Sequence, residues 1–234
     1  MNAEEPMLLI LETSGRIGQV ALARGSRVCG VRRLDEARRH ARDLAPAVAS
    51  LLDEQGASPR HVQAVIVSRG PGSYTGLRVG IMSAKTFAYA TGCALLAVDT
   101  FAAIALRAPP SANRLDVIAD AQQDKVYVQR YVRTVTEGDW QPESLLRIQN
   151  FADWTAQREE DVWVTGPGLA VYGSRVSAGA LLVSGDRWDP QPESLLRIGL
   201  RRFQAGERDD FWSVEPLYLR PSAAEEKWQT RQTS

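Results

Sequence analysis

Ser68-Arg69-Gly70-Pro71-Gly72-Ser73-Tyr74-Thr75-Gly76-Leu77-Arg78 is the stretch whose residue types come closest to a ligand loop. Glycines let several backbone N–H groups converge on one point, and a helix start favours negative charge. Phosphate binding is therefore the first chemistry to set against spacing. A Walker A loop needs a glycine, four residues and then Gly-Lys-Ser/Thr, and no glycine here continues that way. The dinucleotide pattern fails by one position: Gly70 and Gly72 fit, but Thr75 stands where the third glycine belongs and Gly76 is displaced. Gly70, Gly72 and Ser73 remain candidates for a looser anion or nucleotide contact, together with Glu12, Thr13 and Ser14 at the end of an early apolar run. Arg78 falls in the first turn of a helix, where a cation is disfavoured. Either an acidic group faces it, or it is one of the many arginines that supply 25 of the 28 basic side chains.

Other chemistries find less support. A catalytic zinc takes about three protein ligands, often two histidines close together on a helix. The two histidines, His40 and His61, stand far apart with neither HExxH nor HxxxH, so no metal site is expected and His40 reads as a helix-start residue. There is no Gly-x-Ser-x-Gly elbow, and Cys29 and Cys93 are distant from each other without a CxxC, which suggests reduced thiols in the cytoplasm. No catalytic residue is assigned. The formal charge is zero and the pI about 6.8, so no overall field draws the chain onto nucleic acid. Arg32-Arg33 and Arg38-Arg39-Arg42 are diluted by Asp35, Glu36 and Asp43 and read as a solvated face. The first residues lack the basic and long apolar regions of a signal peptide, and no apolar run reaches membrane-spanning length.

The elements that must position these residues follow from periodicity. Met7 to Thr13, Gly18 to Ala23 and Arg27 to Leu34 read as an antiparallel meander, and His40 to Gln55 as a helix with Leu44, Val48, Leu51 and Leu52 on one side. Pro46 is expected in its first turn or at a kink. Val62 to Val67 is a buried strand, followed by the elbow, a helix from about Gly76 to Thr91 capped by Ser73 or Thr75, and a strand at Ala94 to Val98. The first half is thus β-β-β-α-β-α. Its second helix looks apolar on two sides, Leu77/Ile81/Ala84/Ala88 and Val79/Met82/Thr86/Tyr89, with Gly80, Ala84 and Ala88 as a row of small residues. A helix sandwiched within its own domain and a protein contact both fit that pattern.

After Pro109-Pro110 the pattern restarts: a strand at Leu115 to Ala119 ends in Asp120, turns at Gln122-Gln123-Asp124 and returns at Val126. Further strands are expected at Asp161 to Val164 and Ala180 to Val183, with Gly166-Pro167-Gly168 as a second elbow. The octapeptide Gln-Pro-Glu-Ser-Leu-Leu-Arg-Ile occurs at 141–148 and again at 191–198. The second copy reads as a helix start at Pro192, while the first, followed by the helix cap Asn150, reads as extended. The chain, at 234 residues and 44% hydrophobic, has room for two lobes, residues 1–110 and 111–222, with a polar tail at 223–234.

Ile10-Leu11-Glu12-Thr13-Ser14, His40 with Leu44 and Pro46, the Gly-Pro-Gly-Ser-Tyr-Thr-Gly-Leu-Arg loop, Asp120-Ala121 with Val126-Tyr127, and Glu215-Pro216-Leu217-Tyr218-Leu219-Arg220 together resemble the TsaB (YeaZ) family. Glu12 stands where that family usually has Asp, and Gln122 where arginine often follows Asp-Ala. The resemblance implies a two-lobed α/β fold of the actin, sugar kinase and Hsp70 (ASKHA) type with duplicated βββαβα units. It also implies a noncatalytic subunit in the cytoplasmic system that makes threonylcarbamoyladenosine at position 37 of tRNA, an inactive relative of the M22 glycoproteases. The implied partners are the catalytic homologue TsaD and the ATPase TsaE, with ATP and metal on those partners, none tightly bound here, and tRNA met only through the complex. Family members also self-associate through the surface that binds TsaD. It is formed by two helices, so the expected interface residues are Leu44, Val48, Leu51, Leu52, Leu77, Arg78, Ile81, Met82 and Lys85. The alternative is an independent ATP-dependent kinase or carbamoyl transferase using Glu12, Asp99 or Asp120 in the cleft between lobes.

Overall fold

The computed structural model describes residues 5–34, 40–134, 139–176 and 178–219. Strand β1 (Met7–Glu12) is buried at every position, as its unbroken apolar run requires of a strand covered on both faces. β2 (Gln19–Arg24) and β3 (Arg27–Arg33) fold back as the expected antiparallel meander. Helix α1 (His40–Glu54) leads to β4 (Val62–Gly70), parallel to β1, and α2 (Tyr74–Thr91) leads to β5 (Ala94–Asp99), parallel to β4. The sheet order is β3-β2-β1-β4-β5. Alternation along the strands divides the core in two. Leu9, Leu11, Leu22, Val65 and Val67 pack with α1 and α2, while Leu8, Ile10, Ala21, Ile66 and Leu96 face the opposite side of the sheet.

Helix α3 (Thr100–Ala105) carries the chain to the second sheet and is buried between the two. Ala103 packs with the first sheet, whereas Phe101, Ile104 and Ala105 pack with Leu115, Val117 and Tyr131. β6 (Arg114–Asp120) and β7 (Lys125–Arg133) form an antiparallel hairpin, and β8 (Trp140–Pro142) and β9 (Arg147–Asn150) both pair with β7. After α4 (Phe151–Ala156), β10 (Trp163–Thr165) lies parallel to β6 and turns through Gly166-Pro167-Gly168 into the short α5 (Leu169–Tyr172). The order of the first half is repeated: a hairpin, a third strand position shared by β8 and β9, a helix, a parallel strand, then a Gly-Pro-Gly turn into a helix.

The chain then comes back. Helix α6 (Pro192–Gln204) lays Leu195, Leu196 and Leu200 on the first sheet, not the second. Beyond it the Asp209 N–H donates to the Leu95 carbonyl at 2.9 Å, and the Leu217 N–H to that of Arg69 at 2.7 Å. Pro46 lies inside α1, which begins a full turn and more before it, so of its two expected placements the first turn is excluded. Two expectations are corrected. Ala180 to Val183 contributes only an isolated bridge, Leu182 to Val164, beside β10. The second helix starts at Tyr74, with the Ser73 hydroxyl oxygen accepting the Gly76 N–H at 3.2 Å. Asp35, Glu36, Arg38, Arg39, the side chain of His40 and the tail at 223–234 lie outside the described residues.

Candidate functional site

The end of β1 and the elbow after β4 are brought together, as phosphate loops would be, but they bind each other. Glu12 is fully buried, and its Oε1 accepts from the Ser14 N–H at 2.6 Å, the Ser14 hydroxyl at 2.5 Å and the Gly15 N–H at 3.2 Å. Burial pushes the Glu12 carboxyl above its ordinary range, and the hydrogen bonds from Ser14 pull the other way. The Ser14 carbonyl in turn accepts the Ser73 N–H at 2.8 Å.

Glycine at 72, 76 and 80 is what permits this seat. A Cβ on Gly72 would stand 2.6 Å from the Ser14 carbonyl oxygen, one on Gly76 2.0 Å from that of Thr13, and one on Gly80 2.1 Å from the Thr13 hydroxyl. Gly76 and Gly80, four apart, lie on one side of α2, with Gly72 in the turn before it, and that side lies on the β1–β2 turn. The row Gly80, Ala84 and Ala88 therefore serves packing within the chain. Gly70, the remaining candidate, donates its N–H to the Thr100 hydroxyl at 3.2 Å and is covered by Leu77 and Leu217. Of the candidate anion-contact residues, Glu12, Thr13, Ser14 and Gly70 are thus buried within the chain, and only Gly72 and Ser73 lie at the surface.

The other acids are held separately. Asp99 pairs with Arg69, and the Asp120 Oδ1 accepts from the Gln122 N–H at 2.8 Å and the Tyr172 hydroxyl at 2.9 Å. Among the described residues Arg78 meets no acid: it donates to the Tyr74 hydroxyl at 3.0 Å and lies over that ring. His61 accepts the Ser58 N–H on its Nδ1 at 3.2 Å. Among the described residues no three His, Cys, Asp or Glu side chains gather as metal ligands.

The expected docking residues divide sharply. Leu44, Val48, Leu51, Leu52, Leu77 and Ile81 are core residues of the first sheet's α1/α2 side and present nothing outward. A helix packed on a sheet turns its most regular apolar stripe inward, so the residues expected to dock are the ones the sheet covers. What remains outside is the neighbouring stripe, with Met82 59% and Tyr89 70% exposed and Arg78 and Lys85 beside them. The returning strap enlarges it. Tyr218 stacks on Tyr74 with ring centroids 4.7 Å apart, Phe211 and Trp212 meet Tyr89 edge-on at 5.9 and 6.1 Å, and Lys85 Nζ reaches the Trp212 carbonyl at 3.5 Å. Trp212, 74% exposed, and Tyr218 were not among the expected site residues. The signal that could have found them is Phe211-Trp212 standing apolar in an otherwise polar stretch.

Two halves of one plan, joined by a buried helix and each closed by a Gly-Pro-Gly turn, define a two-lobed α/β protein of the actin, sugar kinase and Hsp70 type. The sequence model of TsaD, tRNA N6-adenosine threonylcarbamoyltransferase, matches residues 25–228. The tRNA threonylcarbamoyladenosine biosynthesis protein TsaB of Bacillus subtilis is 25% identical over 227 residues, 94% of this chain and 97% of its own length. The protein of the same name from Escherichia coli is 29% identical over 197 residues, 81% of this chain and 84% of its own. A crystal structure from Pseudomonas aeruginosa, described as similar to the peptidase YeaZ, superposes with a TM-score of 0.76 at 29% identity, covering 92% of this chain and all of its own. The chain belongs to this family, in its TsaB (YeaZ) branch. No described helix is long and apolar enough to cross a membrane.

Proposed function

We propose that the chain is a noncatalytic subunit of the complex that forms threonylcarbamoyladenosine at position 37 of tRNA, binding and supporting the catalytic homologue TsaD. The observation that carries this reading is the outward stripe of α2 with its strap. Met82, Tyr89, Trp212 and Tyr218 make an exposed apolar and aromatic face flanked by Arg78 and Lys85. Tyr, Trp, Met and Arg are the residue types enriched at protein contacts, and exposed patches of this kind mark them. The burial of Glu12 supports the noncatalytic part, as do Ser73 and Gly70, which donate their N–H groups to the Ser14 carbonyl and the Thr100 hydroxyl. TsaE joins the complex, ATP and metal act on the partners, and tRNA is met through the assembly in the cytoplasm. A homodimer through the same face competes with TsaD.

The test is co-expression with the TsaD homologue of the same organism, followed by size exclusion and a reconstituted assay of tRNA modification. Met82→Glu combined with Tyr89→Ala is expected to weaken the complex by about tenfold or more while the monomer keeps its thermal midpoint. Ile81→Glu is not a usable probe, since it buries a charge in the core. An unchanged complex overturns the docking face. Nucleotide hydrolysis by the chain alone, lost on Glu12→Ala while the thermal midpoint is kept, overturns the noncatalytic role in favour of an independent ATP-dependent transferase.

A further inference from the structure

The first copy of the octapeptide lines a cleft of about 230 Å³ on the outer side of the second sheet, far in sequence from the docking face. Its floor is rigid. Asp116, almost wholly buried, accepts from Arg130 Nε at 2.7 Å, from Arg130 NH2 at 3.1 Å and from the Trp154 indole N–H at 3.1 Å. The rim is Glu143, Ser144 and Arg147, and Gln157 closes the side from the end of α4. The Ser144 hydroxyl oxygen already accepts the Arg130 N–H at 3.0 Å, which leaves its own proton to donate. One Glu143 oxygen accepts from Arg114 at 3.2 Å, leaving the other to accept. Among the described residues the side chains of Arg147 and Gln157 have no hydrogen-bond or ionic partner.

The rim therefore offers, among the described residues, an unpaired guanidinium on Arg147 and, on Glu143, one carboxylate oxygen not held by Arg114. Asp116 and Glu143 disfavour a polyanion, Arg130 and Arg147 disfavour a free cation, and the volume lies below the range of nucleotide or drug-sized sites. We infer that this cleft binds a small zwitterion of the α-amino acid class, its carboxylate on Arg147 and the Ser144 hydroxyl and its ammonium on Glu143. Arg147 suits the carboxylate because a guanidinium presents a planar fork of donors. The inference is independent of the docking face and stands whether or not a TsaD homologue binds.

The Trp154 indole N–H reports on the floor of the cleft, so the test is a titration of the full ¹⁵N-labelled chain, with that resonance assigned through Trp154→Phe. The probes are L-alanine and its two charged halves, acetate and methylammonium. A saturable shift with L-alanine is expected, with each half binding at least about tenfold more weakly, since each forgoes one charge-assisted contact. Arg147→Gln is expected to weaken L-alanine by about tenfold and Arg147→Lys by less, because lysine keeps the charge without the fork. Because Arg147 is exposed, neither variant threatens the fold. A shift that does not saturate, equal affinity for acetate and L-alanine, or Arg147→Gln binding like the parent chain would each overturn the site.

Discussion

Gln-Pro-Glu-Ser-Leu-Leu-Arg-Ile is an extended rim at 141–148 and the opening of a packed helix at 191–198. In the first copy Leu145 is 87% exposed, while its counterpart Leu195 is fully buried against the first sheet. Ser144 fastens to the backbone of Arg130, whereas Ser194 lies within a helical turn. Arg147 faces the cleft, and Arg197 donates to Asp139 at 2.7 Å. Intrinsic propensity is identical in the two copies, so the surroundings decide. The first is claimed by the edge of β7, where Pro142 pairs with Tyr131 and the Glu143 N–H donates to the Arg130 carbonyl at 2.8 Å. The second runs on into Gly199, Leu200 and Phe203, which continue an apolar face long enough to cover a sheet.

The strongest way to break this comparison is to truncate the matched leucines. Leu195→Ala should cost about 3 kcal/mol in urea unfolding, as buried leucines do, and Leu145→Ala no more than about 0.5 kcal/mol. Equal effects would mean that the copies are not held so differently. Gly199→Ala sharpens the point. Alanine gains about 1 kcal/mol of helix propensity, but its Cβ would meet the buried Ile66 side chain at 2.5 Å, and overpacking costs about 1 to 3 kcal/mol. A net loss of about 1 kcal/mol is expected, and a gain would show that local preference outweighs packing here. Arg197→Ala should cost about 0.5 kcal/mol through its half-exposed ion pair, and Arg147→Ala almost nothing in stability. Smallest of all, a synthetic peptide spanning 191–204 should show only slight helicity by circular dichroism in water, because a helix that short does not outlast its nucleation cost.

Much of the architecture could be read from residue patterns. The opening strand-strand-strand-helix-strand-helix order, the restart after Pro109-Pro110 and the Asn150 start of α4 follow from alternation, turn residues and caps, which are local properties. The orientation of α2 was less legible, because two of its sides are apolar and periodicity alone does not say which one meets the sheet. The Gly72, Gly76 and Gly80 row settles it, yet its meaning depends on Thr13 and Ser14, more than fifty residues away. The same separation hides the strap: Phe211, Trp212 and Tyr218 gain their place on the candidate face only when the chain returns to α2. Glu12 could be picked out as an unusual acid, but its complete burial under the elbow could not.

The return of α6 also sets an order for biosynthesis. Leu8, Ile10, Ile66 and Leu96 are made early, and even from Leu96 the helix that shields them lies roughly a hundred codons further along the message. At ordinary translation speeds that interval is on the order of ten seconds. During it the amino-terminal sheet emerges from the ribosome with one oily side bare, until a helix made much later covers it.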